Sequence, residues 1–130
     1  MKPKFRAWHK TWEEMGKVKR IRFDDEGNVT TVLFEGKILG VDTHADEIKL
    51  MQSTGLFDKT NTEIFEGDIV DYKGRKAVIK WHGSYASFIY RFVDELKERV
   101  SEWHPLFLAY YHFEIIGNIY ENKGILEEEE

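Results

Sequence analysis

Three short apolar runs follow one another between residues 67 and 92, and each is entered through a glycine: Gly67, Gly74 and Gly83. A helix needs an uninterrupted stretch of ten or more residues, so this punctuation leaves little except short strands joined by tight turns. Asp68-Ile69-Val70-Asp71-Tyr72 alternates polar and apolar residues with period two, as a half-buried strand does. Lys73-Gly74-Arg75 is a tight turn, Ala77–Trp81 the returning strand, and His82-Gly83-Ser84 a second turn into Tyr85–Phe92. The segment is therefore a β-meander.

The residues ahead of the meander are of the same kind. Val18–Phe23 and Val29–Phe34 are rich in β-branched and aromatic residues, and Asp24-Asp25-Glu26-Gly27-Asn28 between them is a hairpin loop. Lys37–Val41 is a further short apolar run, closed by residues 42–46, and Ile48, Leu50 and Gln52 alternate as a strand would. Asp58-Lys59-Thr60-Asn61 is turn chemistry, because Asp and Asn side chains bond their own backbone. Glu63–Phe65 is a short extended piece, and Gly67 permits a sharp bend between Glu66 and Asp68.

The pattern changes after Phe92. Val93, Leu96, Val100 and Trp103 recur at helical spacing, Asp94 can cap, Glu95 and Arg99 form an i,i+4 pair, and Pro105 stops the run. One short amphipathic helix is expected over about 93–104, its stripe facing the core. Phe107–Ile116 is a long apolar-aromatic run, and Gly117–Tyr120 reads as a closing strand. The expectation is a mainly β chain: an N-terminal β region over 1–53, an SH3-like small barrel over 54–122 with the helical insert, and a solvated acidic tail over 123–130. Closure into a barrel would remove exposed sheet edges.

Composition narrows the function. With no cysteine in 130 residues, disulfides and thiolate metal sites are excluded. No apolar run approaches a membrane span and no secretory leader is visible, so a cytoplasmic protein is expected. The five histidines are scattered, with no pair at the spacing of a metal site, and there is no phosphate loop and no nucleophile motif. No cofactor is expected. Glu66 and Asp68 would share a strand face, but acid–base work needs a pocket that separates their pKa values. Beside Gly67 the structural role is favoured, and the expectation is a protein that is not an enzyme.

Charge is distributed unevenly along the chain. Residues 1–22 carry eight basic and two acidic side chains, +6, whereas the remaining residues sum to −11. Lys4, Arg6, Trp8, Lys19 and Arg22 interleave cations with an aromatic, a combination suited to phosphates and base stacking. Lys73, Arg75, Lys76 and Lys80 could extend such a footprint. The alternative, which the acidity of the rest of the chain favours, is a first strand whose Phe5 and Trp8 anchor a core with the lysines outside. An aromatic content of 15% leaves more large apolar surface than one core covers, which favours a protein partner and a homo-oligomer.

Three blocks, KFRAWHKTWEEM (4–15), LMQSTGLFDKTNTEIFEGDIV (50–70) and EIIGNIYEN (114–122), together resemble the YopX family, small proteins of phages and prophages. The resemblance implies a mostly β fold with an SH3-like barrel in the later half, and no enzymatic activity. It implies a phage or prophage accessory protein that acts by binding inside the host cell, without saying what is bound; the aromatic content is what favours protein over nucleic acid. Gly55, Asp58, Gly67, Asp68, Gly117 and Asn118 then read as turn and core positions. His9 stands where the family usually has Asp, and Thr60-Asn61-Thr62 lacks the usual Asn-Gly.

Overall fold

The computed structural model describes residues 4–37, 40–99 and 101–127. Lys2 of the basic segment, residues 38–39 of the run 37–41, Val100 of the helical stripe and residues 128–130 of the acidic tail lie outside the described residues. The chain divides into two compact units, 1–52 and 53–130.

The first unit is an antiparallel sheet of β1 (Phe5–His9), β2 (Glu14–Phe23), β3 (Val29–Glu35), β4 (Val41–His44) and β5 (Ile48–Phe57), in the order β4-β3-β2-β1-β5. One face is apolar. Ala7, Val32, Phe34 and Ile48 are buried on it, with Val18, Ile21, Val29 and Leu50 packed around them. Ala7 lies opposite Gly16 and Leu50, and Val18 opposite Phe34, so period-two alternation places all of them on one side. A Cβ on Gly16 would stand 2.5 Å from the Phe34 ring, which is why the smallest residue sits there.

Two hairpin turns in this unit, β1–β2 and β2–β3, are closed by side chains. Asp24 accepts from the backbone N–H groups of Glu26 and Asn28, each at 2.9 Å, and these bonds hold its carboxyl below the usual range. At the turn after β1, the N–H of Trp12 donates to His9 Nδ1 at 3.1 Å, and the two rings stack at 4.0 Å. His9 thus supplies the acceptor that an aspartate would supply, so the departure from the family's residue preserves the turn.

The second unit begins within β5, whose later part pairs with β6 (Glu63–Phe65). The meander follows as β7 (Asp68–Tyr72), β8 (Arg75–His82) and β9 (Ser87–Phe92), then α1 (Val93–Lys97), β10 (His104–Pro105), β11 (Glu114–Asn118) and α2 (Lys123–Glu127). Lys73 and Gly74 both have positive φ, 51° and 87°, which gives the two-residue turn whose twist matches the flanking strands. The sheet order is β10-β9-β8-β7-β11, all antiparallel. A closed barrel would require β10 and β11 to meet. Among the described residues the ladder stops at those two strands, and a mainly β chain of antiparallel sheets is what is established.

Strands β7 and β8 are covered on both faces. Val70, Ala77 and Ile79 join Ile64, Tyr90, Phe92, Leu106, Ala109 and Phe113 on one side. Ile69 and Val78 join Val93 on the other, with Leu96, Ile119, Ile125 and Leu126 against them. Residues 123–127, expected as solvated tail, therefore begin as a helical turn that covers core.

The helix expected to Trp103 ends at Lys97. Arg99 takes a left-handed φ of 60°, and the chain leaves to add His104-Pro105 alongside Tyr90 and Ile89. Trp103 packs instead beside His82 and Tyr85, with ring centroids 4.9 Å away. Asp94 does not cap: it pairs with Arg75 at 2.9 Å, and Glu95 meets the same guanidinium at 3.4 Å rather than Arg99. The run 107–116 folds as two 3-10 turns, Leu106–Leu108 and Tyr110–His112, before the closing strand at 114–118. Among the described residues no helix is long and apolar enough to cross a membrane.

Candidate functional site

The six turn residues singled out in the sequence are structural, and five of them converge. Gly55 has a φ of 75° within β5, where its N–H donates to Ser53 Oγ. Asp58, 6% exposed, accepts from the N–H groups of Thr60 and Thr62, from the Thr60 hydroxyl, and across the fold from the N–H of Ile115 in β11. Burial alone would raise the Asp58 carboxyl, but these four bonds outweigh it and hold it below the ordinary value. Asn61 takes a left-handed φ of 66°, a conformation that asparagine tolerates better than most residues.

Gly67, with a φ of 88°, donates to the Ile79 carbonyl and accepts from Ile119, both at 2.9 Å. Asp68 is buried, pairs with Asn118 in the ladder and accepts from the Phe65 N–H at 2.8 Å. Gly117 faces Asn122 so closely that a Cβ would lie 2.6 Å from its Oδ1, the atom that accepts from the Asn118 N–H. Residues fifty positions apart in the chain thus form one hydrogen-bonded junction between the 58–68 loop and β11. Glu66 and Asp68 are the two ends of a corner.

The basic residues are brought together by register. Arg6 lies opposite Lys17 on one side and Met51 on the other, and Trp8 opposite Met15 and Lys49. Residues directly opposite share a face. In the β2–β3 ladder Lys17, Arg20 and Arg22 oppose Glu35, Leu33 and Thr31 on that same face, away from Phe34 and Val32. Lys19 keeps period two from Lys17 and lies 3.9 Å from Glu35, and the register shift between Val18 and Arg20 brings Arg20 and Arg22 to this side as well. Lys4 precedes β1 in the same alternation.

The outer face of the first sheet therefore carries Arg6, Lys17, Lys19, Arg20, Arg22 and Lys49 around Trp8, with Lys4 just ahead of β1, against the acids Glu35 and Asp42. Arg20 pairs with Asp42 at 3.0 Å. Arg6 and Trp8 are half-buried and the other cations exposed. Of the five residues proposed from sequence, Arg6, Trp8, Lys19 and Arg22 lie here and Lys4 immediately precedes β1. Lys17, Arg20 and Lys49, which that reading omitted, join them through strand pairing, and the signal that would have found Lys17 is its period-two spacing from Lys19.

The cations named in the second unit have surroundings of their own. Arg75 is held by Asp94 and Glu95 and lies 3.5 Å over the Phe92 ring. Burial, then the nearby Arg91, lowers the Lys80 ammonium. Lys73 sits over the Tyr72 ring, and Lys76 is half-buried. This unit exposes apolar groups instead: Phe107, Leu108 and Tyr111, each more than half exposed, project from the two 3-10 turns.

A family model described as YopX protein matches residues 4–127. Among solved structures, the crystal structure of protein EF1440 from Enterococcus faecalis superposes with a TM-score of 0.67 at 27% sequence identity, covering 97% of this chain and 99% of that one. No curated protein matches the chain.

Proposed function

The chain belongs to the YopX family, and on that premise we propose that it is a non-enzymatic binding module whose first sheet receives an anionic polymer, nucleic acid, on its outer face. The observation that carries this reading is the concentration of six cations and Trp8 on one side of β1, β2 and β5, in a chain whose formal net charge is −5. Such a face follows a phosphate backbone through its cations and stacks a base through its aromatic. The family's phage association further suggests an accessory protein working in the host cytoplasm.

Fluorescence anisotropy with labelled single- and double-stranded oligonucleotides tests it. If about four phosphates are engaged, the logarithm of affinity should fall against the logarithm of salt with a slope of about −3 to −4. Lys17→Ala should reduce that slope by about one without changing sequence preference. No binding at low salt, or a slope indifferent to Lys17, refutes the proposal.

The exposed Phe107, Leu108 and Tyr111 favour a second reading, a protein partner, of which a second copy of the chain is the simplest. Light scattering should then give a mass above the 15.4 kDa of one chain, and Leu108→Asp should return it to that value. A monomer at high concentration removes this reading.

A further inference from the structure

We infer that Glu95, Glu102 and His104 form a site for a divalent transition-metal ion, with Zn²⁺ the best-matched probe. One ligand atom from each of the three lies within 4.8 Å of the others. Glu95 comes from the first turn of α1, whereas Glu102 and His104 are two residues apart on the extended segment that leads into β10. The spacing of two places both side chains on one side of that segment. Arg91 Nε donates to the Glu102 carbonyl at 3.3 Å, and His104 stands opposite Tyr90, so this segment is fastened to β9.

Two atoms of the group make no hydrogen bond, and their contact with each other is a long one that is an ion pair only when the imidazole is protonated. Glu95 Oε2 and His104 Nε2 are both inaccessible to solvent, neither has a hydrogen-bond partner, and they face each other at 4.0 Å. That is too long for a hydrogen bond. Buried polar atoms are ordinarily satisfied, so a pair of orphans aimed at one point calls for a third body. A zinc ion with bonds of about 2.0–2.2 Å holds its ligands roughly 3.4 Å apart, which a small side-chain rotation supplies here.

The surroundings suit an ion. The other oxygen of Glu95, Oε1, is held by Arg75 Nη2 at 3.4 Å, and that guanidinium is fixed in turn by Asp94. A ligating carboxylate is commonly oriented by such an outer partner. The imidazole stacks on Tyr90 at 5.1 Å and meets Phe92 edge-on at 5.4 Å, which sets its plane. Glu102 is exposed, and that side admits a water as fourth ligand. The nitrogen and carboxylate donors select zinc-like ions over Mg²⁺, which favours all-oxygen shells. A search for paired histidines could not find this group, because one histidine is completed by two glutamates, one of them on a separate element.

Isothermal titration of the full untagged chain with Zn²⁺, in chelator-free buffer, tests the inference. One saturable equivalent is expected, together with a raised melting temperature that EDTA reverses. Glu102→Gln, an exposed substitution that leaves the fold alone, should weaken binding by at least tenfold, since even outer partners of a metal site contribute 10- to 100-fold. His104→Gln should abolish it, and Glu98→Gln, on the same helical turn but outside the group, should leave it unchanged. Absence of saturable binding overturns the inference, as does binding indifferent to both Glu102→Gln and His104→Gln, which would locate the ion elsewhere. A preference for Mg²⁺ over Zn²⁺ overturns it too.

Discussion

Asp58→Ala is expected to cost about 3–4 kcal/mol, a large share of the stability of a domain this size. The carboxylate is 6% exposed and accepts four hydrogen bonds. Removing it takes the charged acceptor from the part-buried N–H groups of Thr62 and Ile115, bonds worth about 1.5–3 kcal/mol each. Because Ile115 belongs to β11, the loss reaches across the fold rather than staying in the turn. Asp58→Asn keeps an acceptor oxygen and should cost roughly half as much.

The same carboxylate makes stability depend on pH in a defined direction. Its folded pKa is depressed, since the four hydrogen bonds outweigh the effect of burial. A depressed folded pKa means that the contribution is present above the unfolded value, near 4, and is lost as pH falls through the folded value. Urea melts of wild type and Asp58→Ala should therefore converge as pH is lowered below about 4. A gap between them that is equal at pH 3 and pH 7 would show that the charge is not the source.

Gly67→Val is expected to cost roughly 1–3 kcal/mol. The φ of 88° lies where a β-branched residue is strained, and the position cannot relax freely. Its N–H is tied to Ile79 and its carbonyl to Ile119, so a shift in φ breaks one bond or the other. Glu66→Gln, one residue earlier, should stay within about 0.5 kcal/mol. Thermal melts of the two variants separate a structural corner from a working acid pair: equal melting of Gly67→Val and wild type would sink the corner.

The meander and its turns were legible in the sequence because they depend on residues a few positions apart. Alternation placed Ile69, Val70, Ala77, Val78 and Ile79 in strands, and Lys73-Gly74 and Asp24–Asn28 carry their turn chemistry with them. The helical spacing beyond Lys97 does not become helix, for the opposite reason. Leu96 and Trp103 have helical spacing, but pairing of His104 with Tyr90 and the Arg75–Glu95 contact compete with it, and both partners lie outside the window that spacing can see.

The sequence by itself determined that this chain is mainly β, where its tight turns fall, and which segment holds its cations, since alternation, glycine and charge act locally. Only the tertiary structure decided that Asp58 holds β11, that Lys17, Arg20, Arg22 and Lys49 share a face with Arg6 and Trp8, and that His104 meets two glutamates. The physical reason is register: which residues stand opposite one another is set by the packing of whole strands, and a shift of one position would send each of those side chains to the other face.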